Sequence, residues 1–335
     1  MSLCCYLEYI LIVVGVIFAF IAVADKLISK KRDLKGKHVM ITGGSSGIGL
    51  SVAHEVAGRG AHVTLIARNI ANLEKAKADV EATVANSVAG GKVQIFSVNL
   101  GCDSDAVSSV IKDAEAVLGP VYMLVNCAGF SRAQKFEELS PQVVKSVMDV
   151  NVLGSFFITQ EAVRSMKQQQ EGIIVFTSSQ GGLLGLYGFS AYSAAKGALI
   201  KLAEALHMEV KPYNITVTVC CPPDTDTPGF EEENKTKPTE TKLISEAAGL
   251  FKPEEVAHKL VEDALAGKFM TTNGLEGFML TALCAGMGPI TDLKSFLAQV
   301  LLSGVFRAVS AFYLWSFDRI VYKEYQQRMS SKKAE

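Results

Sequence analysis

The sequence predicts an α/β domain, a doubly wound parallel sheet in a single body, with apolar segments at both chain ends. Three observations carry this. Short β-branched runs alternate with longer helical patterns from His38 to about Leu283. A glycine-rich turn joins the first strand pattern to the first helical one. The mean hydropathy, +0.26, is high for a soluble chain, and the excess apolar residues lie outside the body, at the termini.

Candidate strands are 38–41, 62–67, 93–98, 122–125, 173–178, 215–220 and 277–283. Helical patterns fill 49–58, 69–85, 103–118, 140–168, 192–210 and 253–266. The fourth opens with Ser140-Pro141, a good capping residue before a good first-turn residue. Such alternation argues for parallel strands with crossover helices and a ligand at the strands' carboxyl ends. The stretch 222–252 is polar, Pro-rich, charged and too long for an ordinary connection. After the sixth strand it reads as a substrate lid, with a disordered insertion as the alternative.

Tyr9 to Ala24 is an uncharged run of 16 residues behind Glu8, followed by Lys26, Lys30, Lys31, Arg32, Lys35 and Lys37 against Asp25 and Asp33. Basic flanks stay on the cytoplasmic side, so a transmembrane anchor with an outside N-terminus and a cytosolic body is expected. A cleaved signal peptide ending at Ala22–Ala24 competes, but its n-region carries Glu8 and no positive charge. Near the other end, 277–290 and 296–315 are apolar. Arg307 inside the second run would cost roughly 2.5–3.5 kcal/mol in a span, so a dipping hairpin or a surface helix is favoured. Burial against a second subunit, in a homo-oligomer, is the competing use of these helices. Arg319, Lys323, Arg328, Lys332 and Lys333 follow as a basic tail. The chain thus divides into an anchor and basic flank (1–32), a catalytic body (33–283, lid 222–252) and membrane-associated C-terminal helices (284–335).

A net charge of −1 gives no electrostatic footprint for nucleic acid. The seven Cys are scattered, without zinc-ligand spacing or a secreted disulfide framework, so a reducing compartment and no metal are expected. Sequons at Asn214 and Asn234 would then go unused.

The turn after the first strand is "TGGSSGIG", Thr42 to Gly49. Gly43, Gly47 and Gly49 permit a tight turn and close approach of a pyrophosphate to the helix N-terminus, with Ile48 in the same loop. Where dinucleotide proteins that select NAD carry an acid, this chain reads Ala67-Arg68-Asn69. A guanidinium there accommodates a 2′-phosphate. Ser45 and Ser46 add hydrogen bonds, and Asn72, four residues after Arg68, can face the same way. NADPH is the expected cofactor.

"AYSAAK" sets Tyr192 four residues before Lys196. With 9 Tyr and 33 Lys+Arg in 335 residues, about one such spacing arises by chance, so context must decide. One helical turn apart, the two can share a face. An ammonium and an oxidised nicotinamide would both favour the phenolate and lower a pKa ordinarily near ~10. Tyr192 could then donate a proton to a developing alkoxide that a Ser hydroxyl also hydrogen-bonds.

With "NCAG" (126–129), Asn151, Ser178-Ser179 and "YSAAK" (192–196) in this order and spacing, the chain resembles the short-chain dehydrogenase/reductase family over roughly Lys35 to Leu283. The resemblance implies a Rossmann-type fold. It implies that Asn126, Ala128 and Gly129 line the adenosine side, with Cys127 replacing a family Asn. Asn99, with Leu100 beside it, stands where the family commonly has an Asp toward adenine. "PPDTDT" matches the loop over the nicotinamide, with Pro222, Thr225 and Thr227 at the cofactor and Pro223 in a Gly position. Family spacing makes Ser179, 13 residues before Tyr192, the catalytic Ser, with Ser178 as alternative. Lys196 would hold the nicotinamide ribose and Asn151 a proton-relay water.

The apolar ends point to a lipid. The stretches 178–196, 204–217 and 222–238 resemble a lipid-directed branch of the family, which implies reduction of a long-chain amphiphilic ketone at the cytosolic face of the endoplasmic reticulum membrane. The lid acids Asp224, Asp226, Glu231, Glu232 and Glu233 would attract a substrate ammonium, or are simply solvated. Hydroxysteroid, retinol and long-chain 3-ketoacyl-CoA reductases would share the same reacting groups. A catalytically silent dinucleotide-binding scaffold is the reading from a different class.

Overall fold

The computed structural model describes residues 32–334 apart from 88–89, 102–103 and 247–248. The expected anchor, and most of the basic flank, lie outside the described residues. Strands β1 (His38–Thr42), β2 (His62–Ala67), β3 (Val93–Ser97), β4 (Val121–Asn126), β5 (Gly172–Thr177), β6 (Ile215–Cys220) and β7 (Met270–Thr271) form one parallel sheet. Its order is β3-β2-β1-β4-β5-β6-β7. The helices are α1 (Gly47–Gly58), α2 (Ile70–Asn86), α3 (Ser104–Leu118), α4 (Pro141–Met148), α5 (Gly154–Gln169) and α6 (Gln180–Leu183). They continue as α7 (Ser190–Val210), α8 (Pro228–Asn234), α9 (Thr239–Ser245), α10 (Pro253–Leu265), α11 (Gly274–Leu283) and α12 (Leu293–Ala334).

Alternation along the strands sends successive side chains to opposite faces. Val39 and Ile41 join Val52 and Val56 of α1, Leu73 of α2 and Leu260 of α10 on one side. Met40 joins Val107 of α3, Ile158 of α5 and Leu199 of α7 on the other. With both faces covered, β4 and β5 are buried throughout, which is why they read as unbroken apolar runs rather than alternating ones.

Four expectations change. The run 277–283 is not a strand but lies in α11, and the seventh strand is only Met270–Thr271. A short apolar run lacks the period that separates helix from strand. The pattern over 140–168 is broken by a π-helical turn, Asp149–Leu153, between α4 and α5. The stretch expected as a lid, with a disordered insertion as the alternative, carries two helices. Thr227 caps α8 by accepting from the Phe230 N–H at 3.1 Å, Pro228 sits in the first turn, and α9 follows. Arg32, counted with the basic flank, belongs to the body, since its guanidinium donates to the Gly172 and Asn214 carbonyls at 2.7 and 3.0 Å.

At the C-terminal end, Phe278 meets Phe306 edge-on at 6.1 Å, and the Tyr313 hydroxyl donates to Glu276 at 3.0 Å. These pairs make α11 and α12 antiparallel neighbours. The run 296–315 is part of one 42-residue helix. Among the described residues it is the one helix long and apolar enough to cross a membrane, and only 6% of its most apolar window is buried. Arg328 of α12 pairs with the buried Glu240 of α9 at 2.6 Å, tying this helix to the lid.

Candidate active site

The strand order reverses between β1 and β4, and there the loops after those strands part to leave a crevice. Thr42 Oγ1 accepts from the N–H groups of Cys127 and Ala128 at 3.1 and 3.0 Å, fixing one loop against the other. Gly43 has φ +66°, and a Cβ on it would lie 2.8 Å from the Ala128 nitrogen. One on Gly49 would lie 2.4 Å from the Gly43 carbonyl oxygen. Ser46 makes no side-chain cap to α1, so the first N–H groups of that helix remain for an anion. The loop is thus a cradle built of backbone, and it fits a dinucleotide pyrophosphate.

A cavity of about 640 Å³ starts at this cradle, with Gly43, Ser45, Ser46, Gly47, Ile48 and Gly49 along its wall. Arg68, Asn69 and Asn72 line it after β2, Asn99 and Leu100 after β3, and Ala128 and Gly129 after β4. Pro222, Thr225 and Thr227 line it after β6. Some of their polar atoms already have local partners. Asn69 Oδ1 caps α2 by accepting from Asn72 N–H at 3.0 Å, and the Thr225 hydroxyl donates to the Pro223 carbonyl at 2.9 Å. Asn126 corrects the expectation, because its side chain does not reach the cavity. As the last residue of β4 it turns inward, and its amide donates to Thr159 Oγ1 and the Val175 carbonyl at 3.0 and 3.2 Å.

Helix α7 carries Tyr192 and Lys196 on the cavity side, with the ammonium 5.6 Å from the phenol ring centre. Lys196 donates to the Thr177 carbonyl at 2.8 Å, and burial lowers its pKa to about 8. Tyr192 behaves differently from the expected lowered phenol. Burial first, and the Glu233 charge second, push its pKa well above the ordinary value, against a hydrogen bond with Ser179. The protein alone therefore keeps this phenol protonated, the form able to give a proton away.

The adjacent serines have different surroundings. Ser178 is buried and its hydroxyl donates to the Lys196 carbonyl at 2.8 Å. Ser179 Oγ accepts from Gly181 N–H at 3.0 Å and acts on the Tyr192 phenol, opposing the rise in its pKa. Asn151 lies in the π turn, behind Gly129, rather than on the cavity wall. Its amide donates to the Phe130 and Val147 carbonyls, both at 2.9 Å, while its buried Oδ1 has no partner.

Two features were missed by sequence reasoning. Lys237 of the lid is buried, with its ammonium 2.8 Å from Glu233, 3.4 Å from Asp224 and 4.3 Å from the Phe230 ring centre. The four-residue spacing of Glu233 and Lys237 was the available signal. Secondly, the cavity extends from Tyr192 to the facing sides of α11 and α12, where Met279, Leu280, Leu283, Phe306, Val309 and Phe317 line it. Hydropathy alone cannot tell such a wall from a membrane-facing surface.

Residues 37–238 match the short chain dehydrogenase family. The chain belongs to that family, and is an oxidoreductase of keto and hydroxyl groups with a nicotinamide dinucleotide cofactor. It is 49% identical over 330 residues to the 3-dehydrosphinganine reductase of Danio rerio, covering 97% of this chain and 99% of that one. It is 51% identical over 292 residues to the 3-ketodihydrosphingosine reductase of Mus musculus, covering 87% of each chain. Levodione reductase shares the fold, with a TM-score of 0.64 at 23% identity over 72% of this chain and 96% of that one.

Proposed function

We propose that the protein reduces the 3-keto group of 3-ketosphinganine to give sphinganine, using NADPH, at the cytosolic face of the endoplasmic reticulum membrane. The single observation that carries this reading is the continuity of the cavity from the cradle past Tyr192 to the apolar walls of α11 and α12. A ketone at the head of one long hydrocarbon chain fits that shape, with the carbonyl at Tyr192 and the tail between the two helices. The named Danio rerio and Mus musculus relatives support the same substrate.

Bound reduced nicotinamide supplies the hydride that the carbonyl carbon gains. Tyr192 gives its phenol proton to the carbonyl oxygen, so the product is a neutral alcohol. Ser179 hydrogen-bonds that oxygen while its charge grows. Lys196 would hold the nicotinamide ribose and, as a cation, steadies the phenolate left behind. Asn151, whose Oδ1 is free, positions the water through which the phenol is reprotonated. The exposed Leu301, Val305, Phe312 and Trp315 of α12 suit contact with lipid, as do the segments 1–32 and 284–335 by composition.

Purified protein with NADPH, offered a panel of ketones, tests the substrate. Reduction of the long-chain 2-amino-3-ketone is expected to exceed that of a steroid ketone, retinal or a long-chain 3-ketoacyl-CoA. Faster turnover of any of those three would replace the assignment, and turnover of none would favour the scaffold reading.

Cofactor choice rests on Arg68, which lines the cavity where an NAD-selecting acid would stand. Replacing Ala67 by Asp together with Arg68→Ala is expected to lower the NADPH/NADH preference by roughly tenfold to a hundredfold, the worth of a charge-assisted hydrogen bond. Ratios of kcat/KM for the two cofactors measure it; an unchanged ratio refutes the role of Arg68.

A further inference from the structure

Lys237 is a fully buried cation that the reduction chemistry does not use, and it stands between two carboxylates of the same cavity. We infer that Glu233 is the acceptor for the ammonium that the substrate carries on the carbon next to its ketone, with Lys237 holding the carboxylate at the cavity wall. This deepens the proposed reduction and rests on it.

Charge balance is the first argument. Asp226, Glu231 and Glu232 are exposed, whereas Glu233 and Asp224 turn inward to one shared lysine. One ammonium cannot neutralise both, and a largely buried charge that shares its counter-ion is costly. The Asp224 carboxyl registers the deficit: burial first, and repulsion from Glu233, push its pKa up in spite of Lys237. A substrate cation supplies the missing charge.

Position is the second argument. Glu233 and Tyr192 line the same cavity, and among charged groups Glu233 acts most strongly on the Tyr192 phenol. A 2-amino-3-ketone puts its ammonium one carbon from the carbonyl, so its counter-charge must lie beside the proton donor. Lys237 pairs with one oxygen of Glu233, and the Ser131 hydroxyl donates to the other. Each of those oxygens keeps a lone pair for another donor.

The third argument is direction. The cavity's other end, between α11 and α12, is walled mainly by apolar side chains, with Glu276 bonded to the Tyr313 hydroxyl and Arg307 among them, and takes the tail. The polar head must therefore point away from it, toward the lid. A neutral ketone of the same length would dock its tail equally well but gain nothing from Glu233.

The test uses the full chain in detergent micelles with two substrates: the long-chain 2-amino-1-hydroxy-3-ketone and the same ketone lacking the amino group. Wild-type kcat/KM is expected to favour the amino ketone by roughly 30-fold, as for a hydrogen bond to a charged group. Glu233→Gln should erase most of that preference, chiefly by raising KM for the amino ketone. It should leave NADPH affinity near wild type, and any change it makes through the Tyr192 phenol should fall on both ketones alike and cancel in their ratio. Glu233→Asp, which keeps the charge, should retain part of the preference. An unchanged ratio in Glu233→Gln overturns the inference, and so does an equal loss on both ketones, which would mark a structural role. Failure of the wild type on both ketones would instead overturn the reduction reading itself.

Discussion

Tyr192→Phe is expected to lower kcat about a thousandfold, within the range for loss of a positioned general acid, while NADPH binds nearly as before. The substitution removes one oxygen and leaves the ring. That ring packs against Phe189 at 5.5 Å between centroids, a contact Phe preserves. The cradle at Gly43, Gly47 and Gly49 belongs to other elements and is untouched. NADPH titration by fluorescence and single-turnover oxidation of NADPH separate the two effects. Turnover within tenfold of wild type would remove Tyr192 from the chemistry.

Gly129→Ala is expected to lower kcat by roughly a hundredfold through crowding, with a stability loss of about 1–3 kcal/mol as for an overpacked core. The added Cβ would stand 2.5 Å from Asn151 Oδ1 and 3.2 Å from Lys196 Nζ. Asn151 cannot retreat cheaply, since its amide is held by two backbone carbonyls and the residue is fully buried. Lys196 is tethered to the Thr177 carbonyl. One methyl group thus displaces two groups at once. Thermal unfolding and steady-state rates on the same preparation measure both parts. Near-normal turnover would mean that the Asn151 oxygen has no positioning role.

The sheet could be read from the sequence because six strands are β-branched runs bounded by turns. β7 has two residues and leaves no such mark. The cradle was equally readable, since its chemistry is backbone chemistry and glycine spacing encodes it locally. Side-chain direction was not. Asn126 belongs to a motif that faces the cavity, yet the residue itself points into the core. Ser178 and Ser179 could not be told apart by letters alone. Ser179 has extended backbone, φ −168° and ψ 160°, so neighbours there point to opposite sides. The burial of Lys237 depends on Phe189, 50 residues or so away in sequence, whose ring centre lies 5.8 Å from the ammonium. No local pattern carries that information.

The π turn at Asp149–Leu153 has a consequence for chain length. Such a turn holds one residue more than the helix around it needs. Each residue of a regular helix advances the spiral by about 100°. Deleting one position within Asp149–Leu153 would let the spiral heal into regular form, swinging α4 around relative to α5 and carrying Asn151 off its bearing. The count of residues in this turn is therefore fixed, whatever the residue types around Asn151.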